Sequence, residues 1–526
     1  MSGSRSWKAE VGILVLLVAV AVAVRLPGVA SRSIWYDEGI SLLQTAGHIE
    51  PVWPHGQVPA AVAKENLRGT PSLRTVYRDT RAWDVHPPAY FLALTAWRQW
   101  LGFSLETARG LSLLFSVMSV VLLYTILRIV EFEHPLGATV FYALSTGAVH
   151  HGHEARPYAM AEMLLLVSCL AGVWLWRRSP MGRGPALAGS IVMAASSGAA
   201  FATNYLVIFP LGALMVWFVW ALWPRDRALG VGGPLFTAIA VGGVLPTLRE
   251  QLGAGHHHFS GFVGLLGEAR EMIMMNAQET GIALSQAGSG TPETRATLSV
   301  GAAFVAITGL IWLSVFWIRR QGWQGNREFW SLTMALAAAP TAGLILLDMV
   351  LDKRLHEARY LSLGVPALAI LLSYGVLRAA KSRQRWGLLL FAGLLAIQLA
   401  RVNWGFERCV RDQTGSITRG LVNIIEGVET PAQLVAIAGG FGQGDPASWV
   451  YELDAKTPML VFGHDTDPLQ LMSEVSPALD LWITFSSEKA SLPVELELVR
   501  RLEVSGDYTV VFRNRAAIHM IRAARP

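Results

Sequence analysis

Trp35-Tyr36-Asp37-Glu38 sets two adjacent carboxylates just after an aliphatic run over 11–24. With its flanks, that run is long enough to cross a bilayer. Acids at the mouth of a span are costly unless water, a metal ion or a substrate cation meets them. A carboxylate within reach of a hydroxyl or amine is a general base, and a neighbouring acid raises its pKa toward that task. The same pair would also serve as a solvated first turn of a helix. Other polar groups recur between later apolar runs. His86-Pro87-Pro88 fixes the entry into a helix, and the His86 ring is suited to a phosphate or a metal. His150-His151-Gly152-His153-Glu154-Ala155-Arg156-Pro157-Tyr158 packs three His, an acid and an Arg into one short turn. Its spacing matches no zinc signature, whereas the planar fork of Arg156 suits a phosphate. Anchoring of His and Tyr158 at the membrane interface is the simpler alternative. Asn204-Tyr205 stands at another mouth, where an interfacial Tyr is the plain reading. Arg359-Tyr360 opens a later run, and an outward Arg points to an anionic partner. A surface pairing with His356 or Glu357 is the alternative. His256-His257-His258 reads as a solvated loop.

The elements that must hold these groups are membrane helices. The chain has 526 residues, 52% hydrophobic and only 15% charged, with mean hydropathy +0.40. Soluble domains carry about 25% charged residues, so a polytopic membrane protein is expected. The net charge of +5 does not mark a nucleic-acid binder, because Lys and Arg fall between the apolar runs. The two cysteines, Cys169 and Cys409, exclude a disulfide framework. The short basic segment 1–8, with no small-x-small site before Gly28, predicts an uncleaved signal anchor.

Spans are expected at 11–27, 109–130, 135–151, 157–176, 186–203, 205–223, 229–248, 298–318, 328–350, 360–378 and 386–402, about eleven at ~20 residues each. Alternation then puts Arg5, Lys8, Arg177, Arg178, Arg183, Arg225, Arg227, Arg319, Arg320, Arg327, Arg378, Lys381, Arg383 and Arg385 on one side. The positive-inside rule makes that side cytoplasmic. The loop 28–108, the turn 150–157, the loop 249–297, the turn 352–358 and everything after 402 face outward. Tyr90, Phe91, Leu94, Trp97 and Leu101 fall at helical spacing and predict a membrane-hugging helix, with Trp97 and Trp100 at the interface. Residues 1–402 are expected to form the membrane domain. Over 403–526 charge rises, and short apolar runs at 434–438, 459–462, 481–485 and 508–512 alternate with helix-like pieces, predicting a small α/β domain.

The order of motifs, W-Y-D-E-G-I-S-L, then H-P-P-A-Y-F-L-A-L, S-L-E-T-A-R-G-L-S-L-L-F-S, H-E-A-R-P-Y-A-M, N-Y and R-Y-L-S-L-G-V-P, resembles the GT-C glycosyltransferases of the bacterial protein-mannosyltransferase and aminoarabinose-transferase superfamily (glycosyltransferase family 39 and relatives). The resemblance covers about residues 10–400. It implies a GT-C helical fold in a bacterial inner membrane, and inverting transfer of a sugar from a polyprenyl phosphate. It implies a transfer that is metal-independent or weakly metal-dependent, with a divalent metal as a possible cofactor and no residue assigned as its ligand. Asp37, with Glu38 beside it, matches the acid of the first outer loop that deprotonates or orients the acceptor. Glu154 matches the second-loop acid. Arg156 and Arg359 match basic positions near the lipid phosphate, with Tyr158, Asn204, Tyr205 and Tyr360 in the same outer motifs. His86 stands where aminoarabinose transferases carry a Lys, a departure from the pattern.

The expected function is therefore a polytopic glycosyltransferase acting on the extracytoplasmic side, with a lipid, glycan or protein acceptor. An oligosaccharide ligase of the same architecture is one rival. A transporter or flippase of a lipid-linked sugar is another, but transporters concentrate acids at the midplane in broken helices. Here the acids and Arg cluster at the mouths.

Overall fold

A computed structural model describes residues 7–49, 53–54, 56–254, 272–273, 275–276, 279–280, 315, 327–351, 357–382, 384–409, 421–426, 433–439, 444–463, 480–484, 492–506, 508–513 and 517–522. They fall into two compact units. One holds residues up to 29, 81–90 and 109–404; the other holds 30–80, 91–108 and 405 onward.

Among the described residues, eight helices are long and apolar enough to cross a membrane: Lys8–Ser31, Leu105–Ile129, Tyr158–Arg178, Arg183–Phe201, Tyr205–Leu222, Arg227–Gln251, Arg327–Leu351 and Arg359–Arg378. These are apolar nearly all round, as helices surrounded by lipid or other helices must be. The expected span over 135–151 is not one helix. Pro135–Ala143 and Thr146–His151 are separate, and each is far short of ~20 residues. At the break, both Ser145 N and Ser145 Oγ donate to Tyr142 O, at 3.0 and 2.7 Å. A serine hydroxyl that bonds the carbonyl three residues back offers the backbone an alternative to the regular helical pattern. The run 386–402 lies in the helix Gln384–Cys409, whose apolar part, Trp386–Ala400, is shorter than a full span. Apart from Val315, the run 298–318 lies outside the described residues, so the expected eleven reduces to eight described spans.

In the first unit, small residues let helices approach closely, as membrane helices require. Ser168 meets Ser196 at 2.8 Å between Tyr158–Arg178 and Arg183–Phe201, and Ser197 Oγ donates to Ser168 Oγ at 3.2 Å. Gly343 lies so close to the Phe209 ring that a Cβ would meet it at 2.1 Å. Ion pairs join helix ends that the charge bias assigns to one side: Arg128–Glu10 at 2.8 Å, Arg177–Glu131 at 3.4 Å and Arg225–Glu328 at 3.5 Å. Beside them Phe132, Trp330 and Tyr374 form an aromatic cluster with ring centres 4.5–5.8 Å apart.

The second unit is built on a six-stranded sheet of β1 (Val58–Pro59), β2 (Gln433–Gly439), β3 (Pro458–Gly463), β4 (Asp480–Thr484), β5 (Tyr508–Arg513) and β6 (Ala517–Arg522), in the order β1-β3-β2-β4-β6-β5. β3, β2 and β4 are parallel, and β1, β6 and β5 join antiparallel. Leu434, Leu460, Leu481, Ile483, Leu498, Leu502 and Met520 form its core. Four expected strands are present. β6 and β1 were not expected. β6 contains His519, which stacks flat on Trp482 with ring centres 4.2 Å apart. β1 is a two-residue edge from the first loop, and its partner lies about 400 residues away in sequence, which no local pattern signals.

Candidate active site

Asp37 and Glu38 belong to the second unit. They form the first turn of the helix Tyr36–Ala46, where backbone N–H groups and the helix dipole favour negative charge. Glu38 is fully buried. The entry to this helix is pinned from afar: Glu452 Oε1 accepts from Ser33 Oγ and Ile34 N, both at 3.0 Å. The exit is fixed by Gly47, whose φ of +84° closes the helix through bonds to Gln44 O and Leu43 O. Gly69 lies against the same end, where a Cβ would come 2.3 Å from Ala46 O. Buried Arg98 holds the helix body by donating to Leu42 O at 2.8 Å, to Thr45 Oγ1 and to Leu67 O at 2.6 Å. Arg98 lies in the helix Ala89–Leu101, which the apolar spacing predicts. In it Tyr90, Phe91 and Leu94 are buried and Trp100 is 78% exposed.

The remaining expected residues belong to the first unit, and several of them meet. His86 ends the short turn 84–86 that leads into Pro87-Pro88. Asp84 Oδ1 accepts from His86 N at 2.8 Å and from His86 Nδ1 at 2.9 Å. Arg156 Nη2 lies 3.2 Å from both ring nitrogens, and a proton held on Nδ1 for Asp84 leaves Nε2 as the one that can accept. Burial would raise the Asp84 carboxyl, but His86 and then Arg156 outweigh it and hold Asp84 below the usual carboxylate range. The turn is anchored by Gln251, whose Nε2 donates to Asp84 O and His86 O, both at 2.8 Å. Tyr205 hydroxyl donates in turn to Gln251 Oε1. Asn204 caps the start of that span by accepting from Leu206 N at 2.9 Å. Its side-chain oxygen thus caps the helix, while Tyr205 joins the His86 turn through Gln251.

The turn 150–157 gathers a second group. Glu154 pairs with His150 at 2.7 Å and lies 3.5 Å from His151, whose other ring nitrogen is 3.5 Å from Glu279. Gly147 makes room for Glu279, since a Cβ there would meet its Oε2 at 1.9 Å. Tyr158 continues the line, 4.9 Å from the His151 ring and 6.4 Å from the Tyr360 ring. Arg359 lies over Tyr360 at 5.5 Å and pairs with Glu357 at 2.7 Å. So His86 meets Arg156, and Glu154 connects through His151 to Tyr158 and Tyr360. Among the described residues no group of three or more His, Cys, Asp or Glu is arranged to hold a metal ion. His256-His257-His258 and His356 lie outside the described residues.

Sequence reasoning missed Asp84, Gln251, Glu279, Glu452 and Arg98. Asp84 had a signal, standing two residues before His86 in D-V-H-P-P. The other four act across distances in sequence that only folding closes.

No protein-family model matches the chain, and no curated protein matches it. Solved structures do. ArnT from Cupriavidus metallidurans in the apo state aligns over 97% of this chain and 98% of its own, at TM-score 0.54 and 12% identity. This chain has the GT-C fold. The same ArnT bound to undecaprenyl phosphate gives TM-score 0.51 and 13% identity, with the same coverage. The archaeal oligosaccharyltransferase AglB from Archaeoglobus fulgidus, in complex with an inhibitory peptide and a dolichol-phosphate, gives 0.51 and 12% over 98% of this chain and 77% of its own. The GT-C fold is therefore kept at 12–13% identity, a level at which topology and spacing are shared and side chains mostly are not.

Proposed function

We propose that this protein is a polytopic membrane glycosyltransferase that moves a sugar from a polyprenyl phosphate to a lipid, glycan or protein acceptor on the extracytoplasmic side, with inversion. The observation that carries the reading is the Asp84–His86–Arg156 cluster, tied to Tyr205 through Gln251. It concentrates a guanidinium and an imidazole at the mouths of spans, as a phosphate-bearing leaving group requires. Two structures of the same fold, ArnT with undecaprenyl phosphate and AglB with a dolichol-phosphate, support the lipid-phosphate class of donor.

In this reaction an acceptor hydroxyl or amine attacks the anomeric carbon from the face opposite the phosphate. The bond from that carbon to the phosphate oxygen breaks, and its electron pair leaves with the polyprenyl phosphate. The acceptor proton passes to the Asp37 carboxylate. Glu38 orients its neighbour. Arg156 and Arg359 stabilise charge on the departing phosphate, with Tyr158 and Tyr360 beside them. Glu154, already engaged by His150, orients rather than deprotonates. Purified protein supplied with a panel of polyprenyl-phosphate sugars should release free polyprenyl phosphate as sugar appears on acceptor. Movement of an intact lipid-linked sugar across vesicles, without its consumption, would make the protein a flippase instead.

A further inference from the structure

The span Tyr205–Leu222 starts beside the His86 turn and runs about 27 Å to its other end. There, a cavity of about 660 Å³ lies between this helix and the helix Arg327–Leu351, lined by Val216, Val219, Trp220, Trp223, Arg327 and Glu328. Its walls are mostly apolar, and its rim is cationic. Arg327 lies 5.6 Å from the Trp220 ring, and Arg227 lies 5.4 Å from the Trp223 ring. Glu328 is engaged by Arg225 at 3.5 Å, and its backbone carbonyl accepts from Trp217 Nε1 at 2.6 Å. Among the described residues neither Arg227 nor Arg327 has a carboxylate partner. Arg327 thus lines the cavity with no acidic partner among the described residues, while Arg225 engages Glu328 and Arg227 lies over the lining Trp223.

We infer that this cavity binds an anionic phospholipid of the bilayer, independently of the transfer reaction. An acyl chain fits along Val216, 72% exposed, and Val219. The phosphate meets Arg327, which lines the cavity over the Trp220 ring, and Arg227, which reaches it from over the ring of the lining Trp223. A zwitterionic headgroup would bring its own cation against the same two guanidinium groups, so net negative charge decides the preference. The site lies on the side that the charge bias makes cytoplasmic, and basic pockets between spans on that side are suited to acidic headgroups.

The test is native mass spectrometry of the purified full chain, titrated separately with phosphatidylglycerol and phosphatidylcholine of identical acyl chains. One phosphatidylglycerol should be retained in preference to phosphatidylcholine. Arg327→Gln should weaken that retention about fivefold, and Arg327→Lys should keep most of it. Arg183→Gln, which removes an exposed cation outside the cavity, should leave it unchanged. Equal retention of the two lipids by the wild type would overturn the site. So would an equal loss in Arg183→Gln, since diffuse attraction would then explain the preference. If Arg327→Gln does not yield folded protein, the wild-type comparison and Arg227→Gln decide by the same criteria.

Discussion

At the scale of single residues, the proposal divides labour between carboxylates and cations. Asp37→Asn keeps shape and polarity but cannot take a proton, so turnover should fall by roughly 10²–10⁴, with donor affinity nearly unchanged. Glu38→Gln should cost less. Initial rates and donor binding measured together on both variants decide this, and near-normal turnover in Asp37→Asn alongside an inactive Glu154→Gln would move the base to the second outer turn. Arg359 offers a different contrast: Ala should weaken donor use more than Lys does, because Lys keeps the charge and loses the fork. Asp84 carries a pH signature. Its folded carboxyl sits below the ordinary value, so the unfolded chain binds its proton first. The stability it contributes is complete above the unfolded pKa of about 3.9 and is lost as pH falls through the lower folded value. Donor KM of the wild type should therefore not rise through Asp84 between pH 7 and 5, while Asp84→Asn should raise it across that range by loosening His86 and Arg156. A KM unchanged by Asp84→Asn would remove the cluster from donor binding.

At the scale of elements, two long-range contacts position the short motifs. Gln251 holds the 84–86 turn with two hydrogen bonds and is itself buried. Each such bond is worth about 0.5–1.5 kcal/mol net, so Gln251→Ala should lower stability by roughly 1–3 kcal/mol and raise donor KM, read by thermal unfolding in detergent and by steady-state kinetics. Glu452 does the same for the strand of chain that leads into Asp37. Glu452→Ala should reduce turnover more than donor affinity, because it displaces the proposed base and not the phosphate cations. The reverse split would place residues 33–38 with the donor.

At the scale of the whole molecule, the fold makes a statement about sidedness. If the helix ends joined by Arg128–Glu10, Arg177–Glu131 and Arg225–Glu328 are cytoplasmic, reporters fused after Pro180 and after Asp226 should be cytoplasmic. Fusions after Thr203 and after Pro526 should report the outside. A cytoplasmic signal after Pro526 would contradict an extracytoplasmic place for the C-terminal segment.

Much of this protein was legible in its sequence, for a physical reason. Lipid offers no partner to a bare peptide group, so spans must be apolar helices, and the runs around 11–27, 109–130 and 157–176 announce themselves by composition. The polar motifs stood out because charge near lipid is costly and seldom placed there without use, which is how His86, Glu154, Arg156 and Arg359 were found. Tertiary structure alone decided where those motifs point. At the break, the N–H and hydroxyl of Ser145 both turn back to Tyr142 O, a local choice that hydropathy does not register. The partners Gln251, Glu279 and Glu452 lie 165, 128 and 418 residues from His86, His151 and Ile34. β1 joins a sheet whose other strands lie near the C-terminus. Periodicity reports which face of a segment is buried. It carries no information on which distant side chain covers that face, because that depends on how all the segments pack at once.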